Sequence, residues 1–194
     1  QGISLSNNDS GDRNTIFGSL AGAAGLSGGE NNVLVGHEAG KALTGGDENV
    51  IIGKSAGDIL TTTLNTVLIG KDAGGAINST DANGTVAIGH SAGKAITSGQ
   101  SNTVIGFEAA NDLTTGDNNT VLGHQAFDRA TTAALRNVAI GHQAMHGNFT
   151  TAAVVDCVAI GVNALEATLT ADASGTTAIG KAAGAAITSG QANV

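Results

Sequence analysis

Four histidines share one place in a recurring pattern, because each directly follows a glycine that ends a short apolar run. They are His37, His90, His124 and His142. Imidazole is a good ligand for transition metals, and His124 and His142 lie in successive copies of the pattern, so a metal site is one interpretation. Other copies fill the same place with Lys54, Lys71 and Lys181. A position that accepts lysine favours the other interpretation, a row of solvated polar side chains.

Two further patterns resemble metal-binding sequences, and we predict that neither is one. His142 and His146 are four residues apart, which can place two ligands on one helical face, but a third ligand is absent nearby and Gly147 disfavours a helix. The acidic turns at 45–49 (GGDEN) and 115–119 (TGDNN) carry oxygen ligands suited to calcium. Other copies of these turns lack the acidic residues, so we interpret them as solvated turns.

The remaining composition argues against several classes of function. No nucleophile motif, phosphate-binding loop or zinc pattern is present, so we predict that the chain is not an enzyme and needs no cofactor. Eight basic residues against 16 acidic ones give a net charge of −8, which disfavours nucleic acid as a partner. No apolar run has the length of a membrane span. Cys157 is the only cysteine, which we interpret as a small buried thiol.

The elements that position these residues form a repeat. Ten times, at intervals of 17 to 20 residues, an apolar run ends in an anchor glycine and an alanine follows three residues later. The anchor glycines are Gly18, Gly36, Gly53, Gly70, Gly89, Gly106, Gly123, Gly141, Gly161 and Gly180. The alanines are Ala21, Ala39, Ala56, Ala73, Ala92, Ala109, Ala126, Ala144, Ala164 and Ala183. Such a period predicts a stack of similar units that contact mainly their neighbours.

Each repeat reads as a short strand, the anchor glycine, a helical turn and a polar turn. Both residues before the glycine are apolar, which predicts one strand face inside the coil and a second face covered by a partner chain. The alanine and a Leu or Ile four residues later, such as Ala39 and Leu43, share the spacing of one helical face. The chain is thus predicted to be mainly β, a parallel β-solenoid or β-roll of about ten repeats in a homotrimeric fibre.

Asparagine recurs at the entrance of the predicted strands. The residues are Asn14, Asn32, Asn49, Asn102, Asn119 and Asn137. In a stack of parallel strands in register, side-chain amides can bond to the amides above and below them. We therefore predict a hydrogen-bonded asparagine ladder with a structural role.

Residues 102–127 (NTVIGFEAANDLTTGDNNTVLGHQAF) resemble repeats of the form NTAIGYQALxxNTTGxxNTAIG found in phage tail fibres and related surface proteins. They resemble, more loosely, the AIG-type head repeats of trimeric autotransporter adhesins. The second resemblance implies a left-handed parallel β-roll with three chains around one axis, although the present repeats are longer and contain the helix-like segment. Both resemblances imply an extracellular location, at a cell surface or on a virion.

One region departs from the repeat. The glycine after the alanine is replaced by Ala110, Phe127, Met145 and Leu165 in four consecutive copies, and the longest intervals follow. One interpretation makes residues 127–175 an individual receptor-binding surface, with His146 and Phe149 as exposed contacts to a cell-surface receptor or glycan, because insertions in solenoids form surface loops. The other, which we favour, is a coil that widens to pack larger side chains.

The domain organisation predicted is a lead-in over residues 1–13 and one repeat array over 14–194, which we expect to continue beyond Val194. We predict a structural fibre segment that presents a receptor-binding region. The alternatives are a self-assembling extracellular filament, and a monomeric solenoid that binds ice or a crystalline polysaccharide. The monomeric solenoid needs an outward row of threonines. Thr15, Thr103, Thr120 and Thr177 share a place held elsewhere by Val, so this row is predicted to be buried.

Overall fold

The chain forms a mainly β structure in which ten short strands make one parallel sheet in chain order. The computed structural model describes residues 13–78, 80–130, 134–148, 154–170 and 173–194. The strands are β1 (Thr15–Phe17), β2 (Val33–Val35), β3 (Val50–Ile52), β4 (Val67–Ile69), β5 (Val86–Ile88), β6 (Thr103–Ile105), β7 (Thr120–Leu122), β8 (Val138–Ile140), β9 (Val158–Ile160) and β10 (Thr177–Ile179). This confirms the predicted parallel β-solenoid. One 3-10 turn covers Thr80–Ala82. Residues 1–12 of the predicted lead-in lie outside the described residues.

Each strand begins one coil, and equivalent residues of successive coils lie directly above one another. Val50 pairs with Val67, Ile51 with Leu68 and Ile52 with Ile69. The other strand pairs keep the same register. The anchor glycine follows each strand at once and occurs at a φ between 126° and 146°. This register converts the sequence period into vertical columns of equivalent side chains.

The core is a single column of small and aliphatic side chains inside the coils. It contains the middle residue of each strand, the alanine three residues after the anchor, and in many coils a Leu or Ile four residues further on. Leu34, Ala39 and Leu43 represent these three places in the second coil, and all are fully buried. A narrow interior of this kind is filled by Ala, Val, Leu and Ile, which explains the low aromatic content.

The helical turn predicted after the anchor glycine is wrong. Successive tight turns occupy this segment: Gly36 O accepts a bond from Ala39 N (3.4 Å), and Gly40 O accepts one from Leu43 N (3.0 Å). Glu38 is the third residue of the turn 36–39, and Gly40 is the third residue of the turn 38–41, which a bond from Lys41 N to Glu38 O (3.3 Å) closes. Their φ values of +60° and +53° suit the third position of a type II turn and not a helix. The alternating conformation directs backbone groups along the stack, so Glu38 N bonds to Ser19 O (2.9 Å) in the coil before and Gly40 N to Ala56 O (3.0 Å) in the next.

The asparagine ladder is confirmed. Asn119 Nδ2 donates to Asn102 Oδ1 (3.0 Å) in the coil before and to Ala134 O (2.8 Å). Asn119 Oδ1 accepts from Asn137 N (3.0 Å) and Asn137 Nδ2 (3.1 Å) in the coil after. The same pattern joins Asn14, Asn32 and Asn49. Each buried amide is thereby satisfied inside the protein, which a buried polar group requires.

Candidate binding face

The outer face of the sheet carries two largely apolar columns along its whole length, one of which includes four threonines. The columns consist of the first and third residues of β1–β10, and we call them the strand stripe. Most of these side chains are half-exposed, and Phe17, Leu122 and Ile179 are 48%, 45% and 68% exposed. The threonine row belongs to this face, since Thr15 and Thr120 are exposed. The prediction that the row is buried is therefore wrong for the single chain: only the middle strand residue faces the core.

Two columns of mostly exposed residues border the strand stripe. The leading border is the residue two places before each strand: Arg13, Asn31, Glu48, Asn65, Gly84, Ser101, Asn118, Arg136, Asp156 and Gly175. The trailing border is the residue after each anchor glycine: Ser19, His37, Lys54, Lys71, His90, Phe107, His124, His142, Val162 and Lys181. The stripe is thus an apolar band with largely polar edges, an arrangement also found at the centre and rim of protein interfaces.

Four rings of the trailing border stack on one another. The centroid distances are 5.0 Å from His90 to Phe107, 5.3 Å from Phe107 to His124 and 5.1 Å from His124 to His142, with interplanar angles of 12°, 7° and 6°. We call these residues the ring ladder. The spacing follows from the coil repeat, because parallel strands lie about 4.8 Å apart. The ring faces therefore cover each other, and Phe107, His124 and His142 remain exposed to solvent.

The ring ladder provides poor geometry for a metal ion. The lone pairs of an imidazole lie in the ring plane, and the planes of His124 and His142 are nearly parallel, so their nitrogens do not converge on one point. Among the described residues, no group of three His, Cys, Asp or Glu side chains is arranged to hold a metal. Sequence reasoning placed these two histidines together but missed Phe107 as a member; its place after Gly106, equivalent to that of the histidines, was the signal.

A polar column supports the ring ladder from the next position along the chain. Gln125 Nε2 donates to Glu108 Oε2 (2.9 Å), and Gln143 Nε2 donates to Gln125 Oε1 (3.1 Å). These bonds link the coils that carry Phe107, His124 and His142. The ladder is therefore held on a backbone that is fixed by side-chain bonds as well as by the sheet.

The structure places His146 differently from the exposed contact that the sequence suggested. His146 Nε2 lies 3.1 Å from Asp128 Oδ1 in the coil before, and the two side chains are only 14% and 15% exposed. Phe149, the other suggested contact, lies outside the described residues, as do residues 150–153 of the same insertion. His146 is thus part of a largely buried pair and not a free surface residue.

The bulky residues that replace glycine in this region point into the core. Phe127, Met145 and Leu165 are fully buried, and their φ values are +55°, +53° and +50°. The middle strand residues of the same coils are the smaller Val121, Ala139 and Ala159. In these coils a larger side chain at the glycine position thus accompanies a smaller one at the middle of the strand. This agrees with the interpretation that the coil repacks around larger side chains.

Asp128 gives a pH-dependent prediction. Burial raises the pKa of Asp128 above its ordinary value of 3.8, and the nearby His146 opposes this rise without cancelling it. A carboxyl whose pKa is raised by folding is most favourable when protonated, so its contribution to stability falls as pH rises from the unfolded towards the folded value. We expect Asp128→Asn to raise the melting temperature at pH 7 relative to the parent chain, and to change it little at pH 3.5.

Thermal unfolding of both proteins between pH 3.5 and 7 measures this difference. Glu166→Gln is the control, because Glu166 is an exposed carboxylate that does not act on the pKa of Asp128. A parent chain that becomes more stable than Asp128→Asn as pH rises contradicts the expected sign.

The fold and the columns on its surface define a class, the β-solenoids with a parallel sheet on one side. No protein-family model, curated protein or solved structure matches the chain. Within the described residues, no helix has the length and apolar character needed to cross a membrane.

Proposed function

We propose that this chain is a structural segment of an elongated fibre in which three copies pack through the strand stripe around a common axis. The observation that carries the proposal is the continuity of the stripe, which runs from β1 to β10 without a charged residue. A contiguous apolar patch of this kind is often an interaction site on a protein surface. A second copy has a stripe of the same length and rung spacing, so it is a matching partner.

The dimensions of the stripe support an assembly that also uses its borders. Nine intervals of about 4.8 Å make the stripe roughly 43 Å long. Two side-chain columns cover an area on the order of 400 Å², about half of the roughly 800 Å² that each partner buries in a typical stable interface. The leading and trailing borders must therefore contribute contacts in such a fibre.

The biological role proposed is a tail-fibre or surface-adhesin segment that holds a receptor-binding region away from a virion or cell. The similarity of residues 102–127 to tail-fibre and adhesin repeats supports this role and an extracellular location. The role is mechanical and uses no catalytic residue. End-to-end growth into a filament is the related alternative, in which copies stack along the coil axis as well.

A monomeric solenoid that binds an ordered surface is the second candidate, and the outward threonines favour it. Thr15, Thr103, Thr120 and Thr177 lie on the strand stripe, where they face out of the chain together with the aliphatic residues. A regularly spaced face of this kind suits ice or a crystalline polysaccharide. The two candidates use the same face and differ in what covers it.

Light scattering of the chain and of a stripe variant separates the candidates. We expect the parent chain to have the mass of three copies and Ile88→Lys/Ile105→Lys to have the mass of one, because a buried stripe does not accommodate charges. Ile59→Lys is the matched control, since Ile59 is 43% exposed but lies away from the stripe. A parent chain that stays monomeric over a wide concentration range refutes the fibre, and retention on ice or polysaccharide then tests the second candidate. A mass that climbs with concentration indicates the filament.

A further inference from the structure

The borders of the strand stripe differ in size and charge. Among the residues of the leading border, Gly84 and Ser101 are the small ones in the central coils, and Glu48 is an exposed acid. In the same three coils the trailing border carries His90, Phe107 and Lys54. In these three coils the two borders of one chain are complementary: a small residue accompanies a ring in two of them, and an acid accompanies a base in the third.

Within one chain these complementary residues do not meet, because the strand stripe separates the two borders. The described residues provide no ion-pair partner for either Glu48 or Lys54. The complementarity therefore remains available for contacts between copies.

The geometry points to a heterologous contact in which the leading border of one copy lies against the trailing border of the next, coil for coil. This inference rests on the proposed fibre. A rotation axis parallel to the stack keeps every coil at its own level and brings opposite borders of neighbouring copies together. Glu48 of one copy then meets Lys54 of the next, and the ring ladder packs beside Gly84 and Ser101.

An antiparallel pair of copies satisfies the borders less well. A twofold axis across the stack places each border against itself with the coil order reversed, so ring meets ring at His90 and Phe107, and Lys54 meets His142. The antiparallel arrangement forms one favourable ion pair between copies, Glu48 with Arg136. Arg136 is already bound to Asp156 within its own chain, with distances of 2.7 Å and 2.9 Å from Nε and Nη2 to the two carboxylate oxygens. The parallel arrangement also places Arg136 beside His142, but it gives Glu48 a base that has no ion-pair partner among the described residues of its own chain and places the rings beside small residues. On this balance we favour the parallel arrangement.

Disulfide formation between copies tests the contact directly. We introduce Glu48→Cys and Lys54→Cys together in a Cys157→Ala background and oxidise the folded protein mildly. The strand between the two positions keeps their Cα atoms beyond the limit of about 7 Å for a disulfide, so a bond within one chain does not form. Because each copy then uses both cysteines, we expect a covalent closed trimer on a non-reducing gel.

Three controls assign the outcomes. Either cysteine alone is expected to give no covalent product, whereas an equimolar mixture of the two single variants gives covalent dimers. A second double variant, Glu48→Cys/Arg136→Cys, reports the antiparallel arrangement, and its cross-linking in place of the first pair overturns the inference. A trimeric mass with no cross-link from either double variant also overturns the proposed border contact, but it leaves the proposed trimeric fibre intact. A monomeric mass removes both the inference and the proposed function.

Discussion

Replacing Gly106 with alanine is expected to destabilise the solenoid by about 3–5 kcal/mol, the sum of backbone strain and overpacking. The φ of Gly106 is +142°, which side chains rarely adopt, and an added Cβ meets Gly123 O of the next coil at 2.3 Å. The neighbouring backbone cannot move away, since it is bonded to coils on both sides. Urea unfolding followed by circular dichroism measures the loss.

Gly180→Ala is the matched control for this prediction. Gly180 has the same type of backbone, with a φ of +126°, but the nearest atom to an added Cβ is Ala183 Cβ at 3.9 Å. The variant therefore isolates the backbone strain, and we expect it to cost only about 1–2 kcal/mol. Equal losses in the two variants refute close approach of the coils as the reason for the glycine column.

Asn119→Ala is expected to cost about 3 kcal/mol, because it removes four hydrogen bonds of the asparagine ladder and leaves buried partners unpaired. Asn137 N loses the acceptor Asn119 Oδ1, and Ala134 O loses the donor Asn119 Nδ2. The bonds lie between coils, so the variant weakens the stack and not only one turn. The midpoint of urea unfolding is again the readout.

Asn119→Thr is the graded variant for the same position. Thr66 occupies the equivalent place in another coil, and its Oγ1 donates to Asn49 Oδ1 at 2.7 Å. Threonine at 119 is therefore expected to recover part of the lost stability. A threonine variant no more stable than the alanine variant contradicts the assignment of the loss to hydrogen bonding.

The sequence predicted the architecture because one period controls everything in this fold. A spacing of 17 to 20 residues between anchor glycines leaves no alternative to stacked units, and the recurring asparagines predicted the ladder for the same reason. The helical turn failed at Ala39 and Leu43. Their spacing of four places both side chains in the core, but a run of tight turns achieves the same result, and only the positive φ values distinguish it from a helix.

The binding face was less predictable, since the sequence does not say which strand face is inside. Successive strand residues alternate between the two faces of the sheet, so Ile105 and Val104 lie on opposite faces. Because both are apolar, the sequence did not show that the face with Ile105 and the threonine row is the outer one. The stacking of His124 and His142 followed from the repeat period. Phe107 was missed as part of the ring ladder because it is not a histidine, although it occupies the same position in its repeat. His146 was misjudged because a contact between coils, with Asp128, has no signal in either residue alone.

The orientation of the hydrogen bonds has a mechanical consequence. The strand and asparagine bonds and many of the turn bonds run from coil to coil, so a force applied to the two chain ends pulls along them. The outermost coil opens first, because it is bonded to a neighbour on one side only. Each coil of 17 to 20 residues that opens lengthens the chain by roughly 60 Å. Because each repeat is held mainly by its neighbours, the next coil bears the load as the last one opens. The chain is thus built to absorb work in repeated, nearly equal steps, as a tether does.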